Sequence, residues 1–207
     1  MKNCFIFCAG ECRDLLHKIG NDDVIIAADG GLKHLEELPL VPDVVLGDFD
    51  SLGYVPEGAE VHPVEKNDTD SMLAIKKGLE LGCDTFYLYG ALEGKRLDHT
   101  MANFQALQYL SERGCRGYLV GVRQIATAIT NSQLVIPPYF IDYLSVFCMG
   151  KDAKGVTIKG AQYELENATI SSGFPLGVSN RFMRKKVTVS VEDGTLLLMW
   201  RRTNSTL

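Results

Sequence analysis

Through about residue 122, short unbroken apolar runs alternate with stretches of helical period. The runs "CFIFCAG" (4–10), "VIIAADGG" (24–31), "DVVLGD" (43–48), "TFYLYGA" (85–91) and "GYLVG" (117–121) predict strands buried on both faces. Between them, "DTDSMLAIKKGLELG" (68–82) sets Met72, Ile75 and Leu79 on one helical face. "DHTMANFQALQYLSERG" (98–114) does the same with Ala102, Ala106 and Tyr109 beside Met101 and Leu110. Both segments stop at a glycine, Gly82 and Gly114, as helices commonly do. Continuous apolar strands separated by helices predict an α/β unit: a mainly parallel sheet with helices on both faces. Ligands of such sheets bind at the carboxyl ends of the strands.

Beyond residue 122 the helical period disappears. "KKVTVSV" (185–191) alternates Val187, Val189 and Val191 with polar neighbours, "EDG" offers a hairpin turn at Asp193–Gly194, and "TLLLMW" (195–200) returns. With "QIATAIT", "LSVFCMG", "GVTIKG" and "ATISSG", this predicts a C-terminal antiparallel β-sandwich or small barrel. The expected domains are 1–122 and 123–207. No Pro/Ser-rich linker divides them, so they are expected to pack together, and there is no internal repeat.

Composition narrows the function classes. With 207 residues, 46% of them hydrophobic, the chain can bury a substantial core. A net charge of −5 argues against a nucleic-acid binder, which needs a basic surface. No run approaches the roughly 20 apolar residues of a membrane span, and "MKNCFIFCAG" reads as a first buried strand rather than a signal peptide. The cysteines Cys4, Cys8, Cys12, Cys83, Cys115 and Cys148 lie in apolar or small-residue contexts, which fits buried thiols in a reducing cytoplasm. Trp200 closes an apolar strand and reads as a core residue.

The acidic residues of the first unit are not scattered. Asp29 ends "VIIAAD", Asp48 and Asp50 follow "VVLG", Asp68 and Asp70 open one helix and Asp98 another. Asp is a favoured helix cap, so Asp68 and Asp98 have a capping alternative. Several carboxylates on one rim repel one another unless a cation lies between them. Oxygen ligands without His or Cys suit Mg²⁺, which commonly joins carboxylates to substrate phosphates. In "ADGGLKHL", Gly30 and Gly31 stand between strand and helix, where bare amides can approach an anion. "EGKRLDH" adds Lys95 and Arg96, a basic loop suited to a polyphosphate.

In order, "AADGGLKHL", "PDVVLGDFDSL", "NDTDSMLAI" and "LDHTMANF", followed by an all-β segment, resemble the thiamine pyrophosphokinase (thiamine diphosphokinase) family over nearly the whole chain. The resemblance implies transfer of a pyrophosphoryl group from ATP to thiamine, giving thiamine diphosphate and AMP, with Mg²⁺, in a homodimer with shared active sites. It implies Asp48, Asp68 and Asp70 as metal ligands, with Asp50 and Asp98 supporting them. Asp29, Gly30, Gly31, Thr69 and Arg96 would lie along the nucleotide, and Ser179 and Asn180 of "PLGVSNRF" would meet the thiamine pyrimidine. Two departures from the family pattern stand out: Lys95 stands immediately before the arginine of the basic loop, where the family has glycine, and Val178 stands beside Ser179, where many eukaryotic members have tryptophan.

Pyrophosphoryl transfer needs alignment and charge neutralisation more than covalent chemistry from the protein. Among Asp48, Asp70 and Asp98 as catalytic carboxylates, Asp70 and Asp98 are alternative acceptors for the alcohol proton, and His99 beside Asp98 reads as structural. Two other readings share the acidic cluster: a different Mg²⁺-dependent phosphotransferase or phosphohydrolase, and a non-catalytic nucleotide-sensing module.

Overall fold

The computed structural model describes residues 2–50, 52–63, 67–94 and 96–203. Its first half contains β1 (Asn3–Phe7), β2 (Val24–Ala28), a 3-10 turn (Asp29–Gly31), α1 (Leu32–Glu37), β3 (Val44–Gly47) and β4 (Glu60–Val61). There follow α2 (Asp70–Glu80), β5 (Thr85–Tyr89), α3 (Leu97–Ser111) and β6 (Arg116–Val120). These strands lie in the order β4-β3-β2-β1-β5-β6, every neighbouring pair parallel. Their carboxyl ends therefore share one rim.

The second half supplies β7 (Gln124–Thr130), β8 (Gln133–Ile136), β9 (Tyr143–Lys159), β10 (Leu165–Ile170), β11 (Gly177–Arg181), β12 (Val187–Ser190) and β13 (Asp193–Arg201). The path continues β6-β7-β13-β9-β12-β8, with β10 and β11 also paired to β9, and all these pairs are antiparallel. The result is one large mixed sheet, parallel first and antiparallel afterwards, with few helices. The β6–β7 pairing, with Tyr118 opposite Thr127, carries the sheet across the expected domain boundary.

Strand alternation decides where the core lies, because successive side chains leave a strand on opposite faces. From β1, Phe5 and Phe7 join an apolar cluster with Leu35 of α1 that extends to Leu144, Val189 and Trp200 of the antiparallel half. Cys4, Ile6 and Cys8 join a second cluster with Ala74 and Ile75 of α2 and Ala106, Leu107 and Leu110 of α3. Trp200 is a core residue as expected, 2% exposed and edge-on to Phe140. All six cysteines are free thiols, with Cys4, Cys8 and Cys83 buried.

Several local expectations are corrected. The inward face of α3 is Asn103, Ala106, Leu107 and Leu110, while Met101 stays 54% exposed. A polar residue leads this face because Asn103 donates to the carbonyl of Ala91 and accepts from the hydroxyl of Ser71. The turn at Asp193–Gly194 does not close a hairpin, since β12 and β13 are not neighbours. Each pairs with a different stretch of the 17-residue β9, which runs through "GKDAK" and unites what reads as two strands. Asp68 and Asp98 are not caps: Thr69 caps α2 by accepting from the N–H of Met72, and Asp98 lies inside the first turn of α3. No helix among the described residues is long and apolar enough to cross a membrane.

Candidate active site

The segment "GDFD" (47–50) runs from the last residue of β3 into the following loop, and its alternation explains its geometry. Phe49, at φ +59°, is 2% exposed, so its ring anchors the loop in the interior while the flanking Asp48 and Asp50 remain more accessible. The N–H of Asp50 points at Oδ1 of Asp48, 3.4 Å away. On the adjacent β2, Asp29 follows the last strand residue in the left-handed region (φ +49°) and is 8% exposed. Carboxylate oxygens of Asp29, Asp48 and Asp50 all lie within 4.8 Å of one another. Three like charges so close favour a cation among them, and an all-oxygen donor set suits a hard divalent ion.

Glycine makes this convergence possible. A β-carbon at Gly47 would stand 3.0 Å from the Cα of Asp29, so the bare backbone of β3 admits the Asp29 turn. At Gly31 a β-carbon would fall 1.9 Å from the carbonyl oxygen of Phe7. Gly30 and Gly31 are buried. Gly31 thus allows the turn to pack on the end of β1.

The "DTD" segment is placed differently from the sequence reading. Asp68 forms an ion pair with Lys76, nearly two turns into α2, at 2.7 Å, and it is not part of the three-carboxylate group. Asp70 is the first residue of α2 and lies near Cys8 at the end of β1. Burial, with the Asp70 carboxylate nearby, pushes the Cys8 thiol up to about 12. Thr69 fixes this helix start: its hydroxyl also meets Ser71 Oγ at 3.0 Å, and Ser71 donates to Asn103 of α3 at 2.7 Å. Of the ligand set Asp48, Asp68 and Asp70, only Asp48 belongs to the observed group. Asp29 and Asp50 complete it.

Arg96 and Asp98 pair with each other at 2.6 Å on the exposed start of α3, and the guanidinium holds the Asp98 carboxyl below the usual carboxylate range. Lys95, like Ser51 of the "GDFDSL" motif, lies outside the described residues. Sequence reading missed Glu93, which turns back to accept from the backbone N–H groups of Val122 and Arg123 and so ties the β5–α3 loop to the end of β6.

In the antiparallel half, Ser179 and Asn180 are strand residues of β11. Ser179 is exposed, sits at φ +61° and donates its backbone N–H to Ser145 Oγ at 3.1 Å. Asn180 is 5% exposed and does not project outward. Its side chain accepts from the N–H of Tyr163 at 2.9 Å and donates to the carbonyl of Tyr163 at 2.7 Å. That clamp holds a tyrosine whose side is open to solvent, Tyr163 being 63% exposed. Tyr163 was missed because nothing local in "GAQYEL" links it to Asn180, 17 residues on.

Residues 15–119 match the family model for the thiamin pyrophosphokinase catalytic domain, and residues 131–196 match that for the thiamin pyrophosphokinase vitamin B1 binding domain. A thiamine pyrophosphokinase of Bacillus subtilis (strain 168) is 27% identical over 190 residues, covering 84% of this chain and 85% of the relative. Among solved structures, thiamin pyrophosphokinase from Geobacillus thermodenitrificans aligns with a TM-score of 0.82 at 25% identity over the full length of both chains. The enzyme from Bacillus subtilis gives 0.84 at 24% identity, covering 98% of this chain and 99% of that one. Thiamin pyrophosphokinase from Candida albicans shares the fold at 0.78 with 17% identity, covering 97% and 89%.

Proposed function

Because the chain belongs to the thiamin pyrophosphokinase family, we propose that it transfers the terminal diphosphoryl group of ATP to the hydroxyl of thiamine, releasing AMP, with Mg²⁺ as its metal. The observation that carries this reading is the group formed by Asp29, Asp48 and Asp50 at the carboxyl ends of adjacent parallel strands. These three residues would hold the ion, which supplies charge neutralisation to the phosphates.

The chain's own groups supply alignment and proton transfer. The thiamine hydroxyl oxygen bonds to the β-phosphorus, the bond from that phosphorus to the α–β bridging oxygen breaks, and AMP leaves with the bridging oxygen. Asp70, at the helix start that Thr69 fixes, and Asp98, paired with Arg96 at the surface, are the alternative acceptors for the hydroxyl proton. At the thiamine end, Ser179 offers a hydroxyl and Tyr163 a ring, and Asn180 acts as a positioning residue through the backbone of Tyr163.

On this reading residues 1–122 bind nucleotide and metal and residues 123–207 bind thiamine, in a cytoplasmic homodimer whose sites draw on both chains. Support for the dimer comes from apolar side chains exposed around Ser179: Phe174 at 64%, Leu176 at 52% and Met183 at 50%. The same reading takes the parallel half as covered by helices on both faces and the antiparallel half as a sandwich, in keeping with the two apolar clusters.

An assay of AMP release from ATP tests the reaction. AMP formed only when thiamine is present is the expected result. Phosphate or AMP released without thiamine would make the protein a hydrolase, and bound nucleotide without turnover would make it a sensor.

A further inference from the structure

The carboxyl rim that carries the carboxylate group also carries a cavity of about 540 Å³, between the β6–β7 turn and the ends of β9 and β13. Its size is that of a small-molecule site. Along β9, Tyr143 and Phe147 alternate onto one face, where Met199 joins them opposite Ser145. They give the cavity a flat, largely apolar wall.

Its other walls are basic. Arg202, with its side chain 7% exposed, is fixed by Asp14 at 2.6 Å and by the carbonyl of Gly121 at 3.0 Å. Arg201 is held by Asp142 at 2.8 Å, and Arg123 stands at the turn whose backbone Glu93 secures. Arg181 lies over the Tyr143 ring at 4.9 Å and donates to its hydroxyl at 2.8 Å. Arg123, Arg201 and Arg202 line the cavity, with Asp142 as the lining carboxylate and Arg181 at its edge. With Asp14 and Glu93 counted among their partners, guanidinium charge is still in excess, which favours an anion and disfavours the cationic thiamine. In the strand order β2-β1-β5-β6 the cavity is three strands from Asp29, about 14 Å at the usual inter-strand spacing, so it is separate from the carboxylate group.

We propose that this cavity is a second ligand site, for a planar heteroaromatic ring that carries a phosphate or diphosphate. The ring lies against Tyr143, Phe147 and Met199, and the phosphate meets the arginines. Both products of the reaction proposed above, thiamine diphosphate and AMP, have this chemistry. Only the identification of the occupant as a product rests on that reading.

Trp200, the single tryptophan of the chain, contributes to the cavity wall and provides the readout. The test is a fluorescence titration of the full chain in EDTA with AMP, thiamine diphosphate, thiamine and inorganic diphosphate as separate probes. A saturable change is expected with AMP or thiamine diphosphate, and the tighter of the two identifies the source. Thiamine and inorganic diphosphate should bind at least about tenfold more weakly, a loss equivalent to about 1.4 kcal/mol. Arg123→Glu and Tyr143→Ala should each weaken the favoured probe, while Asp48→Asn should leave it unchanged. The proposal is overturned if neither product gives a saturable change, if thiamine or inorganic diphosphate binds as tightly, or if Asp48→Asn abolishes binding. Since the titration needs neither metal nor turnover, its failure is distinct from failure of the thiamine reaction.

Discussion

Gly47 and Asp29 are in backbone contact: a β-carbon on Gly47 would lie 3.0 Å from the Cα of Asp29 and 3.1 Å from its nitrogen. This contact lets two adjacent strands deliver three carboxylates to one point. Gly47→Ala should push the two strand ends apart, at a cost of about 1–3 kcal/mol, typical of overpacking. Turnover should fall further than stability does, because Asp29 moves relative to Asp48 and Asp50. Urea denaturation beside the AMP assay checks this, and wild-type values in both would contradict the assigned role of the contact.

Ser179 and Asn180 should separate experimentally. Asn180→Ala removes a buried amide that bonds both backbone groups of Tyr163 and should destabilise the fold by about 1–3 kcal/mol. Ser179→Ala, at an exposed position, should change stability little. Both should raise KM for thiamine more than KM for ATP. Equal effects of either variant on the two substrates would remove this edge of the sheet from the thiamine site.

These positions show where sequence reading succeeds and where it stops. The parallel strands were legible because burial on both faces leaves an unbroken apolar run, as in "VIIAA" of β2. The acidic rim was legible because Asp29 and Asp48 directly follow strands. Which carboxylates meet was not, because convergence depends on strand order and on the Gly47 contact, neither of which has a local signature. Asp68 is the reverse case: its motif position suggests a ligand, and in the structure a lysine eight residues on, about two helical turns along, pairs with it. The hairpin at Gly194 failed because the length of β9, not the turn residues, decides the partners of β12 and β13.

His17 should make stability depend on acidity. Tyr89 accepts the N–H of Leu16 and places its hydroxyl 2.6 Å from His17 Nδ1, while the imidazole packs 4.0 Å from the Tyr87 ring and near Phe5. Burial, aided by the charge of Arg202, lowers its pKa from the ordinary 6.5 to about 4. In that interval the unfolded chain binds a proton that the folded chain refuses, so the contribution of His17 is full above 6.5 and is lost as pH falls toward 4. Urea midpoints measured across this range should fall less steeply for His17→Gln than for the wild type. Parallel slopes would show that other groups dominate.

In the proposed reaction Asp29, Asp48 and Asp50 hold the divalent ion. Mn²⁺ binding, followed by electron paramagnetic resonance with a non-hydrolysable ATP analogue, should weaken at least about tenfold in Asp48→Asn and in Asp29→Asn, as expected when a charged ligand is lost. Binding should persist in Asp68→Asn, whose carboxylate is engaged with Lys76. Binding that survives Asp29→Asn but is lost in Asp68→Asn would contradict the site described above.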